Sequence, residues 1–159
     1  MTNGFQQPYP LNYRALTTDS QPVPDGRNWI LLEPLVYLCK DGRLVRARVG
    51  STTDGISTPQ SIWNIIAPMG KYWFSGVLHD SGYRETMEIS TDGAVTWSPY
   101  LCPEGVYDDM IDEALDSQGA SWIEKITIYK ALELFGHTAF AEDQKLANQP
   151  RSLASGTVS

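Results

Sequence analysis

Two runs of β-forming residues, Trp29 to Cys39 and Leu44 to Val49, flank Lys40-Asp41-Gly42-Arg43. Asp-Gly between such runs is a strong hairpin signal, because both central residues accept positive φ. This pairing constrains the fold more than any other feature, since it commits the chain to an antiparallel sheet. In the second run Val45, Ala47 and Val49 alternate with Arg46 and Arg48, so one face should be buried and the Arg-bearing face wet.

The chain then turns to helical patterns. Ser51 to Ser57 reads as a loop, and Thr58 with Pro59 reads as N-cap and first helical residue of a short helix to about Ala67. Pro68 and Gly70 break it. Lys71 to Arg84 is helical in length, with Trp73 and Val77, and Phe74 and Leu78, at helical spacing. Ile89 to Trp97 reads as a smaller hairpin around Asp92-Gly93. A helix is expected from about Gly105 to Gln118, with Tyr107, Ile111, Ala114 and Leu115 on one face and Gly119 as its stop. Ser121-Trp122-Ile123-Glu124 is a capping box, opening a helix from Trp122 to Phe135 that Gly136 ends. The order predicts an α+β fold: a small N-terminal antiparallel sheet, then a helical half with an inserted small hairpin.

Residues 1–28 carry Pro8, Pro10, Pro22 and Pro24 and read as an extended arm that wraps the domain or a partner. Residues 29–140 read as a single domain and 141–159 as a polar tail. The start, MTNGFQQPYP, has no charged segment leading into an apolar run, so no secretory signal is expected. No stretch approaches about 18 apolar residues, so no transmembrane segment is expected. With 12 Lys and Arg against 19 Asp and Glu, net charge is −7, which argues against nucleic acid as a partner. Cys39 and Cys102 fit neither a disulfide framework nor a zinc ribbon and read as reduced thiols.

Chemistry centres on His79, one of 2 histidines. Its imidazole can take a proton from water if a carboxylate fixes its tautomer. Asp108, Asp109 and Asp112 of the next helix are candidates for that carboxylate, and either Asp108 or Asp109 could face inward. The alternative is a half-buried structural histidine beside a solvated acidic face. Tyr83 lies one turn beyond His79 on the same face. His137, after a helix stop, reads as structural. Asp80 and Asp54, with loop carbonyls, could form an oxygen site for Ca²⁺, or Asp54 could close an Asx-turn.

Three segments together resemble a known family. Thr53-Asp54-Gly55-Ile56-Ser57-Thr58-Pro59 is similar to the T-D-G/F-A-S-I-P signature of the phage-associated domain-of-unknown-function family 1353. Val77-Leu78-His79-Asp80-Ser81-Gly82-Tyr83-Arg84 resembles its V-L-H-D-x-L-Y helix. Asp108 to Leu115, Ile128-Tyr129-Lys130-Ala131 and Phe135-Gly136 resemble its last two helices. That resemblance implies a virion or lysis-related context. More distantly, the His-Asp helix resembles the bacterial phospholipase A₂ pattern C-x-x-H-D-x-G-Y-R, with Gly76 where that pattern has Cys. This second resemblance implies His79 as general base, Asp80 as a Ca²⁺ ligand joined by oxygens of the Asp54-Gly55 loop, and Asp108 as the carboxylate orienting His79.

Two functions follow as expectations. In the first, a cation-assisted hydrolase acts on host envelope lipid or cell wall: His79 activates water, Asp108 holds the ring, and Asp80 with Asp54 holds Ca²⁺. Ile62, Trp63, Ile65 and Ile66 would give it an apolar rim, or simply be buried. In the second, a non-catalytic virion protein (tail, connector or decoration component) keeps the fold as scaffold. It would bind other virion proteins through residues 1–28 and the tail. A weaker third expectation is an anti-host factor. The virion or the infected host cytoplasm is the expected location.

Overall fold

A computed structural model describes residues 3–6, 12–15, 17–18, 21–22, 29–55 and 70–130. The first strands are β1 (Gly4–Phe5), β2 (Tyr13–Ala15), β3 (Thr17–Thr18) and β4 (Gln21–Pro22). They are followed by β5 (Trp29–Leu31), β6 (Leu35–Leu38), β7 (Leu44–Ala47) and β8 (Thr52–Thr53). Helix α1 (Trp73–Tyr83), β9 (Met87–Ser90), β10 (Ser98–Pro99) and α2 (Glu104–Ser117) come next. Residues 122–130 are helical and are called α3. The architecture is α+β: among the described residues eight strands precede α1, and β9 and β10, inserted between α1 and α2, complete the main sheet.

The expected hairpin is β6–β7, with Leu38 opposite Leu44 and Leu35 opposite Ala47. Its turn differs from the expectation in one respect: only Gly42 is left-handed, at φ 86°. Asp41 keeps negative φ because its carboxylate accepts the Arg43 N–H at 3.1 Å and the guanidinium at 2.6 Å. This hairpin forms the middle of a five-stranded sheet in the order β1-β6-β7-β9-β10, antiparallel throughout. Leu35, Tyr37, Val45 and Ala47 point inward from it and are buried, as period-two alternation requires. The outer face is only partly wet. Arg46 pairs with Glu88 at 2.6 Å and lies 4.2 Å from the Trp97 ring centroid, so the 91–97 loop covers it.

Residues 1–28 contribute more regular structure than an extended arm implies. β1 adds an edge to the main sheet, β2 pairs with β5 in a β2-β5-β8 sheet, and β3 pairs with β4. The physical reason is local: two- or three-residue strands are fixed by backbone pairing and one anchor. Phe5 is such an anchor, its ring 4.9 Å from Tyr37 and 5.2 Å from Phe74. The second hairpin pairs Ile89 with Ser98 and Glu88 with Pro99, so its return strand begins later than expected. The Asp92 carboxylate accepts bonds from Ser90, Val95 and Thr96, which closes a wide loop before pairing starts.

Every residue of α1 is buried, as expected of a helix packed on more than one side. Trp73, Phe74 and Val77 meet Leu31, Leu35 and Ala47, while Leu78 and Tyr83 meet Tyr37, Val45, Met87 and Tyr107. Helix α2 ends as expected: Gly119 has φ 71° and its N–H bonds Asp116 O at 2.9 Å. The Ser121/Glu124 capping box is formed, and the Ser121 hydroxyl and N–H hold the Glu124 carboxyl down at about 2. Ile128 of α3 packs on Tyr72, Ile111 and Leu115. The expected helix from Thr58 to Ala67, the apolar residues Ile62, Trp63, Ile65 and Ile66, the stop at Gly136, His137 and the tail lie outside the described residues. Among the described residues, no helix is long and apolar enough to cross a membrane.

Both thiols are free. Burial and the neighbouring Glu113 push the Cys39 thiol up to about 12, whereas Cys102 is half-exposed. The thiolate is the reactive form. Brief alkylation of the native protein at pH 8 should therefore modify Cys102 and spare Cys39, with both labelled in denaturant. Peptide mass spectrometry reads the result, and equal native labelling would contradict the packing around Cys39.

Candidate functional site

Helix α1 presents His79 and Tyr83 on one face and Asp80 and Arg84 on the next, because residues four apart stack along a helix. Helix α2 crosses the first face closely, and Gly82 makes the approach possible. A Cβ there would lie 2.4 Å from Tyr107 Cδ1, so only glycine leaves room for that ring. The residue after Tyr107 is Asp108, which the close crossing brings to the histidine.

His79 Nε2 and Asp108 Oδ1 are 2.9 Å apart. The Tyr83 hydroxyl donates to the same oxygen at 2.9 Å and lies 3.3 Å from Glu104 Oε1. The His79 and Tyr83 rings stack at a tilt, with centroids 4.1 Å apart. Burial, then the charges of Asp108 and Glu104, push the Tyr83 phenol far above its ordinary range, so it remains a proton donor. The His79 side chain is 7% exposed and the Asp108 side chain 31%, so the imidazole is buried and its carboxylate partner is half-buried. A carboxylate on Nε2 selects the tautomer with the proton there. Among the described residues no group bonds Nδ1, which is left with a lone pair.

Of the alternatives the sequence left open, Asp108 is the inward carboxylate and Asp109 is exposed. Of the rest of the acidic stripe, Asp116 is exposed and Asp112 half-buried. Asp112 and Asp116 both bind Lys125 Nζ, at 2.5 and 2.7 Å, and so tie α3 to α2.

Asp80 and Asp54 do come together, but around an arginine. The Asp80 carboxylate accepts the Thr53 hydroxyl at 2.6 Å and the Asp54 N–H at 3.2 Å. Arg84 lies 3.7 Å from Asp80 and 3.3 Å from Asp54, and donates to Thr52 O at 2.9 Å. Gly55, at φ 87°, turns its N–H to Thr53 Oγ1 at 2.9 Å. Burial, then the nearby Asp54 charge, pushes the Asp80 carboxyl up, while Arg84 opposes the shift. This donor set does not fit Ca²⁺. The guanidinium already supplies the positive charge between the two carboxylates, and one oxygen of Asp80 is taken by donors. Among the described residues, no three His, Cys, Asp or Glu side chains converge as a metal site needs. The cluster instead clasps β8 and its loop onto the end of α1.

Sequence reasoning missed Glu104 and the role of Arg84. A signal for Arg84 was available, since it follows Asp80 by one turn. Glu104 left none, because an acidic residue in the first turn of a helix is ordinary.

Residues 29–132 match the model of a family described as a protein of unknown function (DUF1353), a span that contains every residue of both clusters. No curated protein and no solved structure matches the chain.

Proposed function

The chain belongs to the DUF1353 family, and we propose that it is a general-base hydrolase of ester bonds in bacterial envelope lipid, acting from a phage virion or during lysis. The observation that carries this reading is Asp108 on His79 Nε2 at 2.9 Å, with Nδ1 left for a substrate water. In the proposed reaction the water oxygen attacks the ester carbonyl carbon while its proton passes to Nδ1. Asp108 stabilises the imidazolium that forms, and Tyr83 holds Asp108 in register. The ester C–O bond then breaks, and the leaving alkoxide takes the proton back from Nδ1. The lipid substrate rests on the resemblance of His79, Tyr83 and Asp108 to the phospholipase A₂ pattern. No step is routed through a cation, because Arg84 stands between Asp54 and Asp80.

The test is release of fatty acid from phospholipid vesicles, with peptidoglycan sacculi as a parallel substrate and with Ca²⁺ or EDTA present. Fatty acid release should survive EDTA. His79→Ala and Asp108→Asn should each lower kcat by about 10²–10⁴-fold, the usual worth of a positioned base. Release from neither substrate, or equal rates in His79→Ala, would overturn the reading. Soluble muropeptides without fatty acid would overturn its lipid substrate.

One observation favours a second reading, the non-catalytic virion component. Trp122, Ile123 and Ile126 of α3 are 71%, 52% and 50% exposed, three large apolar side chains close together on one helix, of the kind that packs on a partner. Inactivity in the same assay, together with co-assembly with other virion proteins, would favour it.

A further inference from the structure

We infer that Glu104 is a positioning residue that acts on His79 through the Tyr83 hydroxyl. Glu104 and Asp108 stand one turn apart on α2 and flank the same phenol oxygen, at 3.3 and 2.9 Å. A phenol has one proton and donates to one acceptor at a time. Directed at Asp108, it engages the oxygen that also holds His79 Nε2 and draws off part of that oxygen's charge. Directed at Glu104, it leaves that oxygen to the imidazole. Glu104 therefore competes for the hydroxyl proton and sets how firmly Asp108 grips the ring.

The surroundings suit this role. The phenol is 3% exposed, with the His79 ring on one side and the Tyr107 ring 6.2 Å away on another, so water competes little for its proton. Both carboxylates are delivered by one rigid helix, which fixes their separation. The effect on turnover rests on the hydrolase reading, but the hydrogen-bond competition does not. An experiment on the ring itself keeps the two separable.

The chain has 2 histidines, so ¹⁵N-histidine labelling gives a simple spectrum, and loss of a ring in His79→Ala assigns it. At a pH where the ring is neutral, Glu104→Gln should move the Nε2 nitrogen and its proton upfield. The amide oxygen is the poorer acceptor, so the hydroxyl turns to Asp108 and the imidazole bond weakens. Glu104→Asp, which withdraws the carboxylate by one methylene, should move them the same way. Tyr83→Phe should move them downfield, and adding Glu104→Gln to Tyr83→Phe should then change nothing. A structural role for Glu104 would not depend on the hydroxyl. Unmoved resonances in Glu104→Gln, or equal movement with and without the hydroxyl, would overturn the inference whatever the outcome of the lipid assay.

Discussion

Replacing Arg84 by Met should destabilise the protein by about 3–5 kcal/mol at pH 8, the usual cost of leaving a buried charge without its partner. The side chain is 10% exposed and sits against Asp54 and Asp80, and Met keeps its aliphatic volume while removing the charge. The loss should depend on pH, with a sign fixed by Asp80. Its folded-state pKa lies above the ordinary carboxylate value, for burial and then for the Asp54 charge. The folded protein thus holds that proton more tightly than the unfolded chain. Stability from this group is full below the unfolded value, about 3.9, and falls as pH rises through the folded one. Without Arg84 the folded value climbs further, so the variant should lose much more at pH 8 than at pH 4.5. Adding Asp80→Asn to Arg84→Met should recover part of the loss by removing the stranded charge. Urea midpoints at both pH values read all of this, and an equal loss at pH 4.5 and pH 8 would mean that the cluster is not a charge clasp.

That clasp marks where the sequence was hard to read. The β6–β7 hairpin was legible because Asp41-Gly42 and the Val45/Ala47 alternation are local signals that the final packing keeps. The His79–Asp108 pair was legible in part. Helical spacing put a histidine and a set of carboxylates on successive helices and left Asp108 and Asp109 open. The phospholipase A₂ resemblance implied Asp108, and the packing of Gly82 on Tyr107 is what brings it to the ring. Asp80 and Asp54 were expected in one cluster around a cation, and the structure sets Arg84 between them. What decides between a cation and Arg84 is the return of β8 beside α1, a contact between residues 26 to 32 apart in sequence. The strands before residue 29 left no pattern because two or three residues cannot express a period. Lys125 left no local signal, because its partners, Asp112 and Asp116, lie on another helix.

Gly82→Ala should harm stability and site together. The new Cβ would lie 2.4, 2.7 and 2.8 Å from Cδ1, Cγ and Cε1 of Tyr107, where carbon atoms normally keep about 3.5–4.0 Å. The ring cannot swing aside. It is 2% exposed, and its hydroxyl donates to Tyr100 O at 3.0 Å and accepts the Cys102 N–H at 2.8 Å. The helices must therefore separate. Overpacking of this kind costs about 1–3 kcal/mol, more than the roughly 1 kcal/mol that alanine gains over glycine inside a helix. Tyr107 immediately precedes Asp108, so the separation stretches the 2.9 Å bond to His79, and misplacement by about 1 Å can cost about 10²-fold in rate. Gly105→Ala is the control, because a Cβ there meets nothing within 4 Å, and it should stabilise by about 0.4–1 kcal/mol. Thermal melts and the His79 ring ¹⁵N spectrum measure the two effects. If Gly82→Ala melts as high as Gly105→Ala and keeps the wild-type ring signals, α1 and α2 are not held at the close approach on which the His79–Asp108 pair depends.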